Sequence, residues 1–325
     1  MNILKVLAQR LSYALALLIA VLVLNFTMIN LAPGDVVDTI AADMGGASAE
    51  LMEQIHTEYG LDKPIIVQLG NYVWRVLQFD LGHSYFYNRP VTEMIFERLP
   101  ATLLLVFSAQ IFALILGILL GVFAAIRPNG ILSHIVTLFA LFGYAAPVFW
   151  TGILLLIAFS LNIPLFPVAG MRDVTIDGGF FPQALSVAHH LVLPMLSLGS
   201  IFIALYSRLC RASMLEVLGS DYIRTAKAKG LSPRDVTLKH GLKNALPPVV
   251  TLAGLQFSAV ISGAVLVESV FSWPGLGQLA LTSILARDTP TILGILFFSA
   301  LVVIIGNLLT DLALRLIDPR IRKST

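Results

Sequence analysis

The sequence predicts an all-α integral membrane protein with six transmembrane helices, and two observations support this prediction. Of the 325 residues, 57% are hydrophobic and 12% are charged, whereas soluble domains carry about 25% charged residues. In addition, six apolar stretches without Asp, Glu, Lys, Arg or His match or approach the roughly 20 residues that span a bilayer core. These stretches are Leu11–Ala32, Ala101–Ile126, Ile135–Leu161, Leu191–Ser207, Ala245–Val267 and Thr291–Thr310.

The first stretch is predicted to be an uncleaved membrane anchor. Its apolar run exceeds the 7–15 residues of a signal-peptide core, and no clear cleavage site follows it. The composition excludes two other classes of protein. A single cysteine, Cys210, cannot form a disulfide framework, and a net charge of +2 is too small to imply a nucleic-acid partner.

The distribution of Lys and Arg predicts that both termini are cytoplasmic. With this orientation, 15 of the 21 basic residues lie on the inner side, where such residues accumulate in membrane proteins. Most of them fall in the one long inner connection, residues 208–244. We refer to this connection as the basic segment.

The long connection after the first stretch, residues 33–100, is predicted to form a small external subdomain. It contains an amphipathic stretch around Leu51, Met52 and Ile55 that ends at Gly60, and a second helical candidate over Ile65–Leu77. The predicted organisation is therefore residues 1–100 as an N-terminal helix with its subdomain, and residues 101–325 as a five-helix core.

Residues for catalysis, metal binding or ion coupling are not apparent in the sequence. Ion-coupled transporters place ionisable groups inside the membrane, and the six predicted stretches have none. The pair His189-His190 is a poor metal site, because adjacent helical residues point about 100° apart. The phosphate-binding pattern G-x-x-x-x-G-K-[ST] is also missing. If the chain takes part in active transport, another chain must bind the nucleotide.

The basic segment predicts two short helices. Ser220 is predicted to cap the first helix, which spans residues 221–229, and Gly230 follows it where a left-handed conformation is favourable. Ser232 and Pro233 are predicted to begin the second helix, with Asp235 completing a capping box. The first helix is thus a rigid rod between two breaks.

The surface of this rod permits two interpretations. The small residues Thr225, Ala226, Ala228 and Gly230 predict a face that another surface can approach closely, with Tyr222 and Ile223 as an apolar knob. A basic amphipathic helix can also rest on anionic lipid. The pattern alone does not decide between a helix that docks on a protein and a helix that lies on lipid.

Residues Asp221–Leu231, followed by His240–Pro248, resemble the EAA loop of binding-protein-dependent ABC transporter permeases. The run Gly263–Gly277 is similar to the B-type membrane subunit of dipeptide and oligopeptide importers, a subfamily that also serves nickel, glutathione and opines. There are departures. Arg224-Thr225-Ala226 stands at the positions of the general Glu-Ala-Ala motif, and Pro33-Gly34-Asp35-Val36 replaces the usual Pro-Gly-Asp-Pro.

This resemblance implies the type I ABC importer permease fold in a bacterial inner membrane. It also implies a homologous C-type permease, cytoplasmic subunits that hydrolyse ATP with Mg²⁺, and a periplasmic solute-binding protein. This chain would then hold no cofactor and be no enzyme. The ATPase-coupling residues in the loop at 209–244 would be Asp221, Tyr222, Arg224, Thr225, Ala226, Lys227, Ala228, Gly230 and Leu231.

Candidates to line the pathway are Gln256, Ser258 and Ser262, although hydrogen bonding between helices is an equal interpretation for them. Two alternatives to an importer subunit stay open at this point. One is a self-sufficient channel or facilitator, and the other is a membrane scaffold whose basic loop holds lipid or proteins.

Overall fold

The computed structural model describes residues 3–31, 63–84, 86–176 and 179–317. These residues are mostly helical, which confirms the all-α prediction. A two-stranded antiparallel hairpin, β1 (His83–Ser84) and β2 (Arg89–Pro90), precedes the third helix. The helices are α1 (Ile3–Leu31), α2 (Ile65–Leu77), α3 (Val91–Ile126), α4 (Ile131–Ala145), α5 (Val148–Leu156), α6 (Phe180–Leu218), α7 (Asp221–Ala228), α8 (Pro233–Asp235), α9 (Lys243–Leu255), α10 (Phe257–Val270), α11 (Leu276–Leu285) and α12 (Thr289–Ile317).

Apolar helices long enough to cross a membrane are present, which confirms the membrane class. Among the described residues, α3, α6 and residues Thr289–Leu309 of α12 qualify by length and composition, and the bent α9–α10 pair qualifies if it is one span. Shorter apolar helices cover Ser12–Met28, Val148–Asn162 and Leu276–Leu285. The count of six spans stays a prediction.

Two of the predicted stretches are broken into separate helices. In the third stretch, α4 ends at Ala145 and α5 begins after Pro147. Proline disfavours helical geometry in the residue before it, so the break follows from the sequence. The fifth stretch divides at Gln256, where the helix axes bend by 52°. Nothing in the local sequence predicted this second break.

The fourth stretch, predicted to be the shortest, lies within the 39-residue helix α6. Wider π-helical turns also occur, at Ile157–Asn162 after α5 and at Val236–Leu242 between α8 and α9. The second helix of the basic segment is therefore not short. It runs from Pro233 through the π turn into α9, so that prediction was wrong.

The chain divides into two compact units: residues 1–100 with 279–304, and residues 101–278 with 305–325. In the first unit, Asp288 is buried and accepts hydrogen bonds from the Ser84 and Thr291 hydroxyls, both at 2.6 Å. These bonds tie the β-hairpin to the start of α12. Much of the predicted external subdomain, including Leu51, Met52 and Ile55 and the Pro33-Gly34-Asp35-Val36 motif, lies outside the described residues.

The second unit contains the main hydrophobic core, in which α3 packs closely on α6. A Cβ atom at Gly117 would lie 2.7 Å from the Cβ of Tyr206, and one at Gly121 would lie 2.6 Å from the Cβ of Cys210. Only glycine permits this approach, as is common between membrane helices. Cys210 is therefore a buried packing residue.

Candidate functional site

The first helix of the basic segment, α7, begins at Asp221, as predicted. Ser220 precedes it in an extended conformation and occupies the capping position. Its hydroxyl does not cap α7, however, because it donates a hydrogen bond to the Val217 carbonyl at 2.6 Å. The predicted side-chain cap is wrong. The first turn is supported by the exposed pair Arg224–Asp221, at 3.3 Å.

The end of α7 confirms the prediction for Gly230, which adopts a left-handed conformation with φ of +77°. The Gly230 N–H donates to the Lys227 carbonyl at 3.0 Å, and the Leu231 N–H donates to the Ala226 carbonyl at 3.4 Å. These two bonds form a Schellman motif, which closes the helix. No atom lies within 4 Å of a Cβ placed at Gly230, so only the backbone conformation requires glycine here.

The inner face of α7 packs against the rest of the basic segment. Ile223, Ala226 and Val236 form a buried cluster, covered by Val217 and Leu218. Ala226 is only 6% exposed. The predicted open small-residue face is therefore wrong at Ala226, and the predicted apolar knob is wrong at Ile223. Residues of this same chain, and not of another protein, pack against Ile223 and Ala226.

The outer face of α7 is open and mixed in chemical character. Tyr222 is partly exposed, and its hydroxyl accepts a hydrogen bond from the Asn244 side chain at 3.1 Å. Since Asn244 also donates to the His240 carbonyl at 2.9 Å, this contact ties α7 to the start of α9. The other exposed residues of the predicted coupling set are Asp221, Arg224, Thr225, Lys227, Ala228, Gly230 and Leu231.

A confirmed cap begins the next helix. The Ser232 hydroxyl accepts the Asp235 N–H at 3.1 Å and donates to the Asp235 carboxylate at 2.7 Å. Lys239 lies 2.6 Å from the same carboxylate. The hydrogen bonds from Lys239 and Ser232 lower the pKa of Asp235. From this cap the chain continues through the π turn into α9.

The candidate pathway residues lie at and after the break in the α9–α10 pair. Gln256 is half-buried at the break itself. Ser258 is half-buried and Ser262 is exposed, one turn apart, and the Ser262 hydroxyl donates to the Ser258 carbonyl at 3.1 Å. An open stripe follows one side of both helices at spacings of three or four residues: Thr251, Leu255, Ala259, Ser262 and Leu266.

A polar contact near the break was missed from the sequence. The Gln110 amide of α3 donates to the Ala253 carbonyl of α9 at 2.9 Å and to the buried Tyr206 hydroxyl of α6 at 3.0 Å. One side chain thus joins three helices beside the bend. The available signal was a lone glutamine in an apolar stretch, which does not reveal its partners.

A second missed group surrounds Glu268, near the end of α10. Its fully buried carboxylate accepts bonds from the Thr102 hydroxyl at 2.7 Å and from the N–H groups of Gly277 and Gln278 at 2.6 and 3.1 Å. Gly275 lies directly against the carboxylate. The Glu268 carboxyl group thereby lies at the N-terminus of α11, where the helix dipole favours negative charge. We call these residues the Glu268 network.

The adjacent histidines make separate contacts. The His189 ring hydrogen-bonds with the Leu165 carbonyl, and the His190 ring with the Ser186 carbonyl, both at 2.8 Å. In the part of the chain that the structure describes, no group of three His, Cys, Asp or Glu side chains could hold a metal ion.

Apolar helices long enough to cross a membrane, with the short polar helix α7 between them, indicate an integral membrane protein. The chain belongs to the family described as "Binding-protein-dependent transport system inner membrane component", which matches residues 117–323. The N-terminal family of the same systems matches residues 3–106. The chain is therefore a multi-pass inner-membrane permease subunit of an ABC importer, and not an enzyme.

Relatives cover almost the whole chain. The dipeptide transport system permease protein DppB of Escherichia coli K12 is 39% identical over 340 residues, covering 98% of this chain and 99% of the relative. The oligopeptide transport system permease protein AppB of Bacillus subtilis is 38% identical over 314 residues, covering 96% and 98%. The family membership predicted from the sequence is confirmed.

The fold also has a solved counterpart. The methionine ABC transporter MetNI in an inward-facing form contains a chain that matches with a TM-score of 0.54 and 18% identity. The match covers 69% of this chain and 96% of the MetNI chain. At this identity the likeness concerns the fold alone, and it confirms the importer permease fold.

Proposed function

We propose that this chain is the B-type permease of an importer for dipeptides or oligopeptides, and that it forms half of the translocation pathway. Near full-length identity of 38–39% to two permeases whose names specify peptides supports this substrate class over nickel, glutathione or opines. The observation that carries the mechanism is α7, a short helix closed at Gly230 and open on one face.

The energy for transport is supplied by other subunits. Cytoplasmic ATPase subunits bind ATP and Mg²⁺, and this assignment is consistent with the missing phosphate-binding pattern in the present sequence. A homologous C-type permease supplies the second half of the pathway, and a periplasmic protein delivers the solute. The excess of Lys and Arg on one side supports an orientation with both termini, and the basic segment, in the cytoplasm.

The open face of α7 is the surface that docks on the ATPase. Its contact residues are Asp221, Tyr222, Arg224, Thr225, Lys227, Ala228, Gly230 and Leu231. Ala226 and Ile223 act from the other side, because they hold α7 on its own buried cluster. When ATP binding moves the ATPase, α7 moves as a rigid body together with this cluster.

The movement reaches the pathway through continuous helix. From Pro233 the backbone passes through the π turn and α9 to the bend at Gln256. Beyond the bend, Ser258 and Ser262 present hydroxyl and carbonyl groups to the passing solute. A weakly polar surface of this kind holds a peptide loosely, which leaves selectivity to the binding protein.

The coupling role is tested by Gly230→Val in the complete complex, reconstituted with its binding protein. Valine is disfavoured at a φ of +77°, so the end of α7 distorts. We expect peptide uptake per ATP hydrolysed to fall at least tenfold. The matched control is Gly219→Val, since Gly219 has an ordinary φ of −82° and a Cβ there makes only ordinary contacts.

Two results would contradict the proposal. Normal uptake per ATP in Gly230→Val would remove α7 from the coupling mechanism. Accumulation of a solute against its gradient by this chain alone in liposomes would show that the partner ATPases are not needed. The substrate class is measured separately, by competition of labelled dipeptide uptake with unlabelled oligopeptides, glutathione and nickel.

A further inference from the structure

Helix α2 has one face attached to the protein and one face open. On the attached face, the Tyr72 ring lies 6.0 Å from the Phe26 ring of α1, and Val76 is buried. On the other face, residues at spacings of three or four are exposed: Ile66, Gly70, Trp74 and Leu77. We call these four residues the α2 stripe. Ile66 is 79% exposed and Trp74 is 64% exposed.

The stripe is too apolar to be an ordinary water-facing surface. Proteins seldom expose contiguous large hydrophobic residues unless the patch meets a protein, a ligand or a membrane. Polar residues lie at the margin of the stripe, where Asn71 and Gln78 are exposed. Whether a protein, a ligand or the membrane contacts the α2 stripe depends on the depth of α2 relative to the bilayer.

Two helices of the same compact unit fix this depth. Phe26 lies about five residues before the end of α1, which corresponds to roughly 8 Å of helix. Its neighbour Asn25 is buried and donates a hydrogen bond to the Leu293 carbonyl, within the first turns of α12. The contact between α1 and α2 therefore lies in the apolar part of α1, close to its end and at the level of the first turns of α12.

The surface of α1 at this depth is itself open and apolar. Leu24 and Met28, on either side of Phe26 in the sequence, are both more than half exposed. In a membrane-spanning helix, such residues face lipid chains. Lipid at this level therefore reaches α2 as well, and an indole at the boundary between lipid chains and headgroups is a common membrane anchor.

We propose that α2 is an interfacial helix, which lies in the membrane surface with the α2 stripe in contact with lipid acyl chains and Trp74 as its anchor. It attaches the chain between α1 and α3 to the bilayer. A binding protein or second permease on this face is the competing occupant. Depth and continuity with the open surface of α1 favour lipid.

The test uses spin labels on single cysteines in the complete complex in liposomes. The chain has one cysteine, the buried Cys210, which is removed by Cys210→Ala. Labels are placed in the stripe by Ile66→Cys and Trp74→Cys. Leu24→Cys serves as the lipid reference and Lys63→Cys, an exposed position before α2, as the water reference.

Collision of each label with oxygen, which concentrates in lipid, is compared with collision with a water-soluble nickel chelate. We expect the oxygen-to-nickel ratio at Ile66→Cys and Trp74→Cys to resemble that of Leu24→Cys and to exceed that of Lys63→Cys at least fivefold. Nickel-dominated collisions in the stripe would overturn the proposal. Protection from both reagents would also overturn it, because a protein would then cover the stripe.

A second measurement needs no cysteine. Lipids with brominated acyl chains quench tryptophans that contact them, and the chain has three tryptophans. We expect Trp74→Phe to remove a large part of the quenchable emission, while Trp150 and Trp273 are retained. An unchanged quenchable fraction would contradict lipid contact at Trp74. Both measurements are independent of transport, so the proposed importer function can fail without affecting them.

Discussion

The Glu268 network and helix α7 are fixed in opposite ways, although both belong to the same compact unit. The Glu268 carboxylate is buried and bonds to Thr102, 166 positions away, as well as to two backbone N–H groups. Helix α7 is exposed on one side and is closed by bonds between residues no more than five apart. The Glu268 network depends on distant partners, whereas the end of α7 is closed by local bonds and only its outer face is tied to α9, by the bond from Asn244 to Tyr222.

This difference indicates different uses. Bonds inside a low-dielectric interior are hard to break, since each lost partner leaves an unsatisfied polar group. The Glu268 network thus holds helix ends in one arrangement. A locally closed helix can keep its shape while its surroundings move, which suits a piece that docks on another subunit. The following predictions are ordered from the largest expected effect to the smallest.

The strongest test of the buried region is Glu268→Ala. It leaves the Thr102 hydroxyl and two N–H donors without their acceptor, at about 1–3 kcal/mol for each buried group. We expect a large loss of stability, measured as the thermal unfolding midpoint in mild detergent. Ser269→Ala is the matched control, because that hydroxyl donates only to the Val265 carbonyl of its own helix. Equal midpoints for the two variants would contradict the importance of the network.

The exposed region has a buried support, which Ile223→Ala removes. Truncation of a buried isoleucine costs about 2–5 kcal/mol, and here the loss falls on the small cluster beneath α7. We expect faster hydrogen exchange of the α7 amides with little change in the rest of the chain. Leu231→Ala, on the exposed side, should have a smaller effect. If the α7 amides remained fully protected from exchange in Ile223→Ala, the hydrogen bonds that close the helix would be sufficient to hold it. The buried cluster would then not be needed.

The Gln110 contact lies between the buried Glu268 network and the exposed helix α7, since its bonds beside the bend are partly buried. Polar bonds between membrane helices contribute about 0.6–2 kcal/mol. Gln110→Leu removes the bonds to both Ala253 and Tyr206, whereas Tyr206→Phe leaves the Ala253 bond in place.

The expected result is a broader distance distribution between spin labels at Thr251→Cys and Ser262→Cys, on either side of the bend, in Gln110→Leu only. Identical distributions in Gln110→Leu and the unmodified protein would show that the bend does not depend on this side chain. Broadening in Tyr206→Phe to the same extent would assign the effect to Tyr206 instead.

The smallest effect concerns the exposed cap at Ser232. Asp235 has a pKa below its ordinary value of 3.8, because Lys239 and Ser232 hydrogen-bond its carboxylate. A lowered pKa in the folded state stabilises the fold at higher pH, and this contribution is lost as the pH falls from near 3.8 through the lowered value. We expect amide protection at the start of α8 to fall in this window, after correction for intrinsic exchange. Asp235→Asn should lack the pH dependence, and an equal dependence in that variant would exclude Asp235 as its source.

Local signals were sufficient where structure depends on local bonds. The predicted helix over Ile65–Leu77 has the observed bounds, and the predicted rod at 221–229 differs from α7 by one residue. Gly230 ended α7 as predicted, because a left-handed residue is a property of the backbone at that position. The break between α4 and α5 also has a local cause, because Pro147 disfavours helical geometry in the residue before it.

Distant contacts could not be predicted in this way. Glutamine does not break helices, so the bend at Gln256 has no local signal, and the Gln110 bond beside it depends on three helices. Ala226 appeared to lie on an open face because helical periodicity does not say which side is covered. Ala226 is buried partly by Val236, which comes later in the sequence and packs in the same cluster because the chain turns back after α7.

The π turn at Val236–Leu242 has a consequence for the direction in which the later residues point. A π turn holds one more residue than an α-helical turn, and one residue corresponds to about 100° of rotation around a helix. Removing a single residue there would rotate all of α9, and with it the hydroxyls of Ser258 and Ser262, by more than a quarter of a circle. The number of residues in this turn, more than their chemical nature, therefore sets the direction in which Ser258 and Ser262 point around the helix axis.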